Sequence, residues 1–513
     1  MAQAVVLPKC SYALLRALSR CTAATAHAHL HAMASAPEAP AGRDFDYDYI
    51  VAGAGPAGLA AAGFLAKSGS RVAVFENRPR PEDVFGSYPV VLNARGIAAL
   101  EQLDEAVAKR ACSTGMDVKE LHIVPGNRTV ARVKTWGTGI MRDQMAQILL
   151  ESAEERANVT FFWEHKLSSI DFAAHSCSFC LPDGSEATFT ASRLVAADGN
   201  RSRVRRLCEE NVEGFHVEAD PWGFQLRFMT SKGQPGQTVV DPAHHFVLGD
   251  KGYVCQQPNG VWSVSLRVLP GQDEDFLTAN EATEERVEKL REYTTKHAKD
   301  FAENLLDDEA YRGFYSCRAF DGIVVKCSCL NPAGWVCIIG DAAHAVQPAT
   351  GEGINSGLED AAVLGQAVLE SPEDPFAAYD ARRREDAHAL HALALRARDK
   401  VVAPPPRQQA ASIMVTIGLS IAKKLHIVEG TAQDYMLGER ARTVGVKGYA
   451  ELVAMEDRQT RGLRKVAMGI GKVFRIPKEH PAPAEAKAAA AAGDEAAAAA
   501  CAEGPQGQKL LGA

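Results

Sequence analysis

Three features are missing from this sequence, and each absence excludes a class of protein. Among the 513 residues, no apolar run reaches the length of about 18 that a membrane-spanning helix needs. Basic residues are not in excess: 56 lysines and arginines stand against 64 aspartates and glutamates, and the net charge of −8 disfavours a dedicated nucleic-acid-binding protein. A small disulfide-rich framework is excluded because the 12 cysteines are scattered over the whole length. What remains is the ordinary composition of a globular protein.

The cysteines and histidines do not show the spacing of a metal site. Cys177 and Cys180 form a CxxC, but no second CxxC lies at the spacing of a zinc site. The alternating His27, His29 and His31 have no further ligand nearby in the sequence. In a strand, Cys177 and Cys180 would point to opposite faces. We therefore expect free thiols and assign no metal ligands.

Both ends of the chain differ in composition from the part between them. Residues 1–44 are rich in Ala, with several Ser and Thr and no acidic residue before Glu38. This composition is typical of an organelle transit peptide, for a chloroplast or a mitochondrion, with a disordered extension as the alternative. Residues 479–513 form a low-complexity, Ala-rich tail that we expect to be disordered.

The strongest local pattern is a glycine-rich turn between two short apolar runs. Asp48–Ala52 indicates a buried strand, Gly53–Gly58 (GAGPAG) the turn, and Arg71–Phe75 a second strand that ends at Glu76. Such glycines permit a tight turn, the approach of a pyrophosphate and close packing of the next helix, whose N-terminus attracts phosphate. Glu76 is placed to accept hydrogen bonds from a ribose. The pattern predicts a Rossmann-like dinucleotide-binding fold and leaves NAD and FAD open.

Two later segments favour a flavin. Leu194–Arg205 is an apolar strand that ends in Asp198-Gly199 before a basic turn, and Trp335–His344 is a second strand that ends in Gly340-Asp341. A carboxylate at the end of a strand can accept hydrogen bonds from sugar or ribitol hydroxyls. The glycine-rich turn Pro348–Asn355 then leads into a helix, whose positive end suits a flavin ring that becomes anionic on reduction.

Together, these segments resemble the single-component flavoprotein aromatic hydroxylases. The motifs GAGPAGLAAAGFLAKSG, VAADGNRSRVR and GDAAHAVQPATGEGINSGLED occur in that order, over about residues 47–370. Within this family the chain looks most like the kynurenine 3-monooxygenase group. The resemblance implies an α/β + β fold: a Rossmann-like FAD-binding domain interleaved with an antiparallel-sheet substrate domain, followed by C-terminal helices.

The same resemblance divides the chain into segments. It assigns 45–112, 140–210 and 325–375 to the FAD-binding domain, 113–139 and 211–324 to the substrate domain, and 376–478 to the helical C-terminal region. Apolar and polar residues alternate over Trp262–Val268 and over Phe224–Phe228, which is typical of a sheet with one buried face.

The resemblance also implies roles for individual residues. It places the FAD pyrophosphate at Gly53, Gly55, Ala57 and Gly58. It places the adenosine ribose at Glu76 with Arg78, and the adenine beside the backbone of Leu167. Arg142 is expected on phosphate or ribitol, Asp341 on ribitol, and Asp198 near the pyrophosphate, although local chemistry equally allows Asp198 to cap a helix. Gly351 and Gly353 permit close approach, and Ile354 and Asn355 offer backbone groups to the flavin ring.

As implied by the resemblance, NADPH or NADH reduces the FAD, and O2 supplies an oxygen atom to an aromatic or other unsaturated small molecule. The sequence has no second GxGxxG in a strand–helix context, which fits transient docking of the nicotinamide nucleotide. Two alternatives stay open, because the same fold serves several reactions. One is an FAD-dependent reductase or epoxidase acting on an isoprenoid or another lipid, and the other is a non-catalytic FAD-binding protein.

The substrate pocket departs from the kynurenine 3-monooxygenase pattern. There an arginine and a tyrosine hold the substrate carboxylate, whereas here Lys119 and Trp136 occupy the aligned positions. Pro348-Ala349-Thr350 also replaces an aromatic pair. Lysine offers charge without a planar fork, and tryptophan an aromatic wall without a hydroxyl. Lys119 and Trp136 are therefore substrate-pocket candidates for an acid other than kynurenine, with a solvated lysine and a core tryptophan as the alternatives.

The C-terminal third predicts helices. Phe376–Lys400 has helical character and is ended by Pro404-Pro405-Pro406. Ile413–Leu425 is apolar but too short to span a bilayer. The resemblance implies peripheral membrane contact through these helices, and packing on the FAD-binding domain is the alternative.

Overall fold

The computed structural model describes residues 44–81, 87–233, 240–269, 271, 274–401, 411, 414–415, 418–419, 421–428 and 430–473. The predicted transit segment, apart from Asp44, and the predicted Ala-rich tail lie outside these residues, as does part of Ile413–Leu425. Over the described ranges, each helix is either too short or too polar to cross a membrane.

The chain alternates strands and helices along its length. The strands are β1 (Tyr47–Ala52), β2 (Val72–Phe75), β3 (Pro89–Leu92), β4 (Met116–Ile123), β5 (Ala131–Met141), β6 (Val159–Phe162), β7 (Lys166–Asp171), β8 (Ser176–Cys180), β9 (Glu186–Ala196), β10 (Val217–Pro221), β11 (Gln225–Ser231), β12 (His244–Val247), β13 (Gly252–Gln256), β14 (Trp262–Val268), β15 (Ile323–Cys327) and β16 (Val336–Ile338).

The helices are α1 (Pro56–Lys67), α2 (Ala94–Leu103), α3 (Glu105–Thr114), α4 (Arg142–Glu154), α5 (Arg203–Asn211), α6 (Asp275–Thr278), α7 (Glu284–Asn304), α8 (Asp308–Ser316), α9 (Asp341–His344), α10 (Gly353–Glu370), α11 (Pro375–Val401), α12 (Ala432–Met436), α13 (Arg440–Thr443) and α14 (Tyr449–Val473). The helix predicted over Phe376–Lys400 is confirmed as α11.

The first sheet has a parallel core in the order β6–β2–β1–β9–β16. The short apolar runs of β2 and β16 are buried throughout, as expected of parallel strands covered on both faces. The long strand β9 also pairs through its first half with β8, which pairs with β7, and both of these pairings are antiparallel. The carboxyl ends of β1, β9 and β16 therefore meet at one edge, where the three glycine-containing turns begin.

The second sheet has the order β11–β14–β13–β12–β4–β5–β3. Its ladders are antiparallel except for the parallel pair β12–β4. The chain enters this sheet twice, over β3–β5 and over β11–β14, between visits to the first sheet. Strand β3 lies within residues 45–112, so the second sheet takes a strand from a segment assigned to FAD binding from the sequence.

The expectation of one buried face is wrong for β14, and in β11 the buried face is the one opposite to the apolar face that the sequence indicated. All seven residues of β14 are buried, because Arg267 donates to the Asp250 carboxylate and Ser265 Oγ donates to the Tyr253 carbonyl within the sheet. In β11 it is Arg227 rather than its apolar neighbours that is nearly inaccessible, at 3% exposure. Its guanidinium donates to the Thr278 carbonyl, so a polar alternation here marks buried hydrogen bonding instead of a solvent face.

The cysteines agree with the expectation of free thiols. Those within the described residues form no disulfide. Cys177 is buried and Cys180 is partly exposed, as their opposite directions on β8 require. Burial raises the pKa of the Cys177 thiol to about 12, so this thiol stays protonated at neutral pH.

A buried ion cluster joins α10 to α11. Arg383, which is 2% exposed, donates from Nε to Asp360 Oδ1 at 2.6 Å. The other oxygen of Asp360 accepts from the Gly340 backbone at 2.7 Å and lies 2.6 Å from His344 Nε2. Burial alone would raise the pKa of Asp360, but the charges and hydrogen bonds of His344 and Arg383 hold it well below its ordinary value of 3.8.

Replacing the buried arginine tests how much this cluster contributes to the stability of the fold. We expect Arg383→Met to lower the free energy of unfolding by about 3–5 kcal/mol, because it leaves buried carboxylates without their counter-charge. The loss should be full above the ordinary aspartate pKa of 3.8 and should shrink as the pH falls below it, because Asp360 of the variant, without the charge of Arg383, becomes protonated at a higher pH than Asp360 of the wild type. Denaturant unfolding at several pH values measures both effects.

The neighbouring arginine provides the control. Arg382 pairs with Glu370 at 2.9 Å on the surface. We expect Arg382→Met to change stability by less than about 1 kcal/mol. Equal losses in the two variants would mean that the buried cluster contributes no more than a surface pair.

Candidate functional site

The turn after β1 has a backbone that only glycine accommodates at two positions. Gly53 has φ +104°, and a Cβ there would lie 2.5 Å from the Ala197 carbonyl oxygen. A Cβ on Gly58 would overlap the carbonyl oxygen of Gly53. The turn therefore brings β1, the end of β9 and the start of α1 into backbone contact.

Gly55 differs from these two glycines because the space beside it is open. A Cβ there would meet only Arg142 Nη2, at 3.7 Å. This space lies at the N-terminus of α1, which begins at Pro56, where the free N–H groups and the helix dipole favour an anion. Arg142 begins α4, and its backbone N–H donates to the Tyr88 carbonyl at 3.1 Å. The cradle and the guanidinium fit a pyrophosphate.

Ala57, the fourth predicted pyrophosphate residue, lies against two glycines of the later motif. A Cβ on Gly340 would be 3.0 Å from the Ala57 Cβ, and a Cβ on Gly357 would be 3.2 Å from it. Gly340 has φ +58°. The small side chain of Ala57 and the two glycines therefore let α1 and α10 pack closely. This packing brings the glycine-rich turn after β1 next to the motif that begins at Gly340.

Glu76 closes β2 and is 7% exposed. Its Oε2 accepts from the Ala54 backbone at 3.0 Å, and its Oε1 accepts from Arg78 Nε at 2.9 Å. Burial alone would raise the pKa of Glu76, but Arg78 and the backbone donors lower it, so the carboxylate is ionised at neutral pH. The His165 backbone donates to the Glu76 carbonyl at 2.9 Å, which places the segment leading to Leu167 beside Glu76.

Asp341 begins α9 directly after β16. Its side chain is accessible to solvent but lies in a recess with many protein atoms around it. This enclosure raises the pKa of Asp341 above its ordinary value, and the nearby charges of Arg142 and His344 oppose the rise. A Cβ on Gly353 would be 3.8 Å from Asp341 Oδ1. Asp341, Gly353 and Arg142 thus lie around the same space, which suits a ribitol or phosphate oxygen.

The turn before α10 is held by the side chain of Asn355. Gly351 takes a left-handed conformation with φ +67°. Asn355 Oδ1 accepts from the Asn93 backbone at 3.0 Å, and its Nδ2 donates to the carbonyls of Val91 and Gly351, both at 2.9 Å. Ile354 is half-buried against the main core. The Asn355 side chain is therefore used in hydrogen bonds within the protein. The predicted contact with a flavin ring would involve only its backbone groups.

Asp198 acts as a helix cap in this structure. One carboxylate oxygen accepts from Ser202 Oγ at 2.5 Å, and the other accepts from the backbone of Arg203 at 2.6 Å and of Val204 at 3.0 Å. Burial raises the pKa of Asp198, and these hydrogen bonds oppose the rise. The cap is one of the two roles considered from the sequence, and contact with the pyrophosphate stays a prediction.

Lys119 and Trp136 lie opposite each other where the β4–β5 ladder is irregular. The register shifts between Val118 and Glu120, so Lys119 faces both Thr135 and Trp136. Lys119 is exposed and Trp136 is half-buried. The structure thus brings the two substrate-pocket candidates together.

Trp136 also contacts the C-terminal region. Its backbone N–H donates to the Leu437 carbonyl at 3.2 Å, and the Arg442 guanidinium lies 4.9 Å from the ring centroid. A Cβ on Gly351 would be 3.6 Å from Leu437 Cδ2. Leu437 therefore connects the tryptophan to the turn that is predicted to contact the flavin.

Sequence reasoning missed Glu352 and its partners. This carboxyl is fully buried between Gly351 and Gly353, and accepts hydrogen bonds from Tyr449 Oη at 2.6 Å and Asn93 Nδ2 at 3.0 Å. Burial raises the pKa of Glu352. The position of Glu352 between two glycines of a predicted binding turn could have indicated a special role for this residue. No feature of the sequence around Tyr449 indicates that it contacts Glu352.

Tyr88 is a second missed residue. Burial raises its pKa, while Arg142 lowers it and Asp341 adds to the rise, so the phenol lies close to both predicted cofactor contacts. Its ring packs edge-on against Phe320, with centroids 5.7 Å apart. Tyr88 thus borders the same space as Arg142 and Asp341.

Comparisons with known proteins agree with this arrangement. Residues 46–394, more than half of the chain, match the FAD binding domain family. The kynurenine 3-monooxygenase of Yarrowia lipolytica is 27% identical over 381 residues, which cover 67% of this chain and 79% of that enzyme.

Two solved structures share the fold. The p-nitrophenol 4-monooxygenase PnpA from Pseudomonas putida DLL-E4 is similar with a TM-score of 0.56 at 19% identity, covering 85% of this chain and 99% of that one. PqsL from P. aeruginosa, in complex with 2-aminobenzoylacetate, is similar with a TM-score of 0.53 at 20% identity, covering 69% and 98%.

The open cradle at Gly55, the guanidinium of Arg142 and the carboxylates of Glu76 and Asp341 fit FAD, and the chain belongs to the FAD-binding-domain family. Within that family it is an FAD-dependent monooxygenase of the aromatic hydroxylase type and is similar to the kynurenine 3-monooxygenases. The mixed α/β fold class and the FAD cofactor predicted from the sequence are confirmed.

The Gly55 cradle yields a direct test of cofactor placement. We expect Gly55→Val to weaken FAD binding at least about tenfold, because the side chain would occupy the space beside Arg142. The flavin-to-protein absorbance ratio of the purified variant, and its titration with FAD, measure the loss.

Gly462→Val serves as the control, since a Cβ at this exposed position of α14 meets nothing within 4 Å. We expect this variant to retain FAD. Full FAD content in Gly55→Val, with the fold intact by circular dichroism, would contradict the placement of the pyrophosphate.

Proposed function

We propose that this enzyme uses NADPH or NADH and O2 to hydroxylate an aromatic or other unsaturated small acid. The observation that carries the proposal is the meeting of three glycine-containing turns, after β1, β9 and β16, beside a sheet that carries Lys119 and Trp136. A flavin bound there supplies the redox chemistry, by accepting electrons from the nicotinamide and activating O2. The protein's own residues bind, orient and shield the reactants.

In this proposal the two sheets have separate tasks. The first sheet with its helices is the FAD-binding domain, with a Rossmann-like parallel core, and the second is the substrate domain. The two are interleaved because the chain crosses between the sheets repeatedly. The passage of the chain between the two sheets supports the assignment of 113–139 and 211–324 to the substrate domain. Strand β3 also belongs to this domain, because it pairs with β5.

The cofactor contacts follow from the positions of the charged groups. Gly55, Ala57 and Gly58 offer backbone N–H groups to the pyrophosphate around the start of α1, and Gly53 shapes the turn, because its own N–H donates to the Phe75 carbonyl at 2.7 Å. The ionised Glu76 carboxylate accepts from the ribose through Oε2, which keeps a free lone pair after its bond to the Ala54 backbone, whereas Oε1 accepts from both the backbone N–H and Nε of Arg78.

The remaining cofactor contacts come from α4, α9 and the turn before α10. Arg142 and Asp341 hold the phosphate–ribitol portion, and the backbone of residues 351–355 faces the flavin ring. Gly351 and Gly353 allow this close approach.

An acid substrate fits the charge of the pocket candidates. The Lys119 ammonium can pair with a carboxylate, and Trp136 offers an aromatic face held by Arg442. The relatives named kynurenine 3-monooxygenase act on kynurenine, and PqsL binds 2-aminobenzoylacetate; both ligands are aromatic acids. Because lysine lacks the planar fork of arginine, we propose an acid other than kynurenine.

Two further proposals concern the location of the enzyme. The composition of residues 1–44 supports import into a chloroplast or mitochondrion, which a fluorescent fusion of this segment tests by showing or failing to show organelle fluorescence. Ile421, Leu425 and Ile427, which are 52–73% exposed beside Lys423 and Lys424, support peripheral membrane contact. Co-sedimentation with anionic vesicles tests this contact, and retention in the supernatant would contradict it.

Turnover by the purified protein tests the reaction class. We expect a yellow protein whose absorbance is bleached by NADPH or NADH without oxygen and restored by air. A panel of small aromatic acids should include one that stimulates nicotinamide oxidation and yields a product heavier by one oxygen atom. A product reduced at a double bond without O2 consumption would instead indicate a reductase. Flavin reduction without stimulation by any acid or isoprenoid would overturn the proposed activity.

Substitution of Lys119 tests the pocket. We expect Lys119→Ala to weaken binding of the stimulating acid about tenfold, through loss of the ion pair, with FAD content unchanged. Lys109→Ala, an exposed lysine on α3, is the matched control and should leave affinity unchanged. Unaltered affinity in Lys119→Ala would mean that Lys119 is a solvated lysine that does not bind the substrate.

A further inference from the structure

Glu120, His122 and His244 bring three metal-ligating side chains together on the second sheet. One carboxylate oxygen and two imidazole nitrogens lie within 4.8 Å of one another. His122 Nε2 is 3.0 Å from Glu120 Oε2, and His244 Nε2 is 3.9 Å from the same oxygen. No local pattern in the sequence indicates this group, because more than 100 residues separate His122 from His244 along the chain.

The backbone explains why these side chains meet. Glu120 and His122 are two residues apart on β4 and therefore share a face of the sheet. His244 pairs directly with Glu120 in the parallel β12–β4 ladder. The imidazole centroids of His122 and His244 are 4.7 Å apart, and Phe246 packs edge-on against His122. Donors carried by paired strands are held more precisely than donors on loops.

The spacing and chemistry suit a cation of the zinc class. A tetrahedral metal bound at about 2.0–2.1 Å keeps neighbouring donor atoms about 3.4 Å apart. The observed separations of 3.0 and 3.9 Å lie on either side of this value. Two imidazoles with one carboxylate favour Zn²⁺ or a similar transition metal over Ca²⁺ or Mg²⁺, which prefer oxygen ligands alone.

The group is open to solvent and has a further donor beside it. The side chains of Glu120 and His244 are 27% and 24% exposed, whereas that of His122 is 9% exposed. Asp241 Oδ2 lies 3.7 Å from His244 Nε2, and its Oδ1 accepts from the Ala243 backbone at 2.9 Å. Asp241 therefore lies beside the group without converging on all three donors, which leaves a coordination position for water.

The group is distinct from the substrate-pocket candidates. Side chains alternate along a strand, so Lys119 projects from the opposite face of β4 to its neighbour Glu120. The face with Glu120 and His122 is the one where Phe246 packs against Phe301 of α7. A ligand here would not contact the proposed substrate.

We propose that Glu120, His122 and His244 form a binding site for a zinc-class divalent cation, with water completing the coordination. The cation joins β4 to β12, the parallel pair that links the two segments of the second sheet. Its role is to stabilise this sheet, and it takes no part in the oxygen chemistry.

Metal titration of the full-length, FAD-loaded protein tests the proposal. The protein carries no polyhistidine tag and is first freed of metal with a chelator. We expect it to bind one equivalent of Co²⁺ with micromolar or tighter affinity and with the visible absorption of a four-coordinate site. Zn²⁺ should displace the Co²⁺, as the affinity order of these ions requires, and should raise the Tm by several degrees.

The two more exposed ligands provide the decisive variants. His244→Ala and Glu120→Gln should each weaken Co²⁺ binding more than about tenfold and abolish the rise in Tm, with FAD content unchanged. His216→Ala, at an exposed histidine elsewhere, and the triple variant His27→Ala, His29→Ala, His31→Ala should bind Co²⁺ as the wild type does. Undiminished binding in both ligand variants, or no binding by the wild type at millimolar Co²⁺, would overturn the proposal.

Discussion

The buried amide of Asn355 holds the two sheets of this enzyme in register at the cofactor site. It joins the turn before α10 to the backbone of Val91 and Asn93, at the end of a strand that belongs to the other sheet. A buried amide left without these partners would cost about 1–3 kcal/mol for each unpaired group, so the turn and the strand fix each other's position. Gly96 is required by the same contact, because a Cβ there would collide with the Asn355 side chain.

The C-terminal helices support this junction from outside. Tyr449 donates to the buried Glu352, and Asn93 donates to both Glu352 and the Met436 carbonyl. The residues that hold the predicted flavin turn therefore come from three distant parts of the chain. Removing the C-terminal region would take the Tyr449 hydroxyl away from the buried Glu352 carboxyl, beside the turn that is predicted to contact the flavin.

The chemistry and the selectivity of the enzyme have separate structural origins. The groups that we propose to surround the FAD come from turns at the ends of parallel strands, where backbone N–H groups and helix N-termini converge. The substrate candidates come from an irregular place in the second sheet, where Lys119 faces Trp136. If these candidates bind the substrate as proposed, changes at the irregularity would alter the substrate without disturbing the cofactor, as expected when one fold serves several reactions.

Local patterns were sufficient for much of the cofactor site. The strand–turn–helix around Gly53–Gly58 and the acidic end of β2 follow from short-range sterics: backbone conformations that only glycine accommodates, and an apolar run that must be buried. The same holds for α11, whose length and terminating prolines are visible in the sequence. The sequence predicted two possible roles for Asp198 without deciding between them, since a carboxylate after a strand can either bind a ligand or cap the next helix.

What the amino-acid sequence determined by itself was the set of cofactor turns and the class of chemistry, because each turn is specified by residues that are neighbours along the chain. Only the tertiary structure decided that both faces of β14 are buried, that Asn355 and Glu352 are structural, and that His244 meets Glu120 and His122. These outcomes depend on strand register and on contacts between residues hundreds of positions apart. Such contacts follow from the packing of whole sheets, which no local pattern encodes.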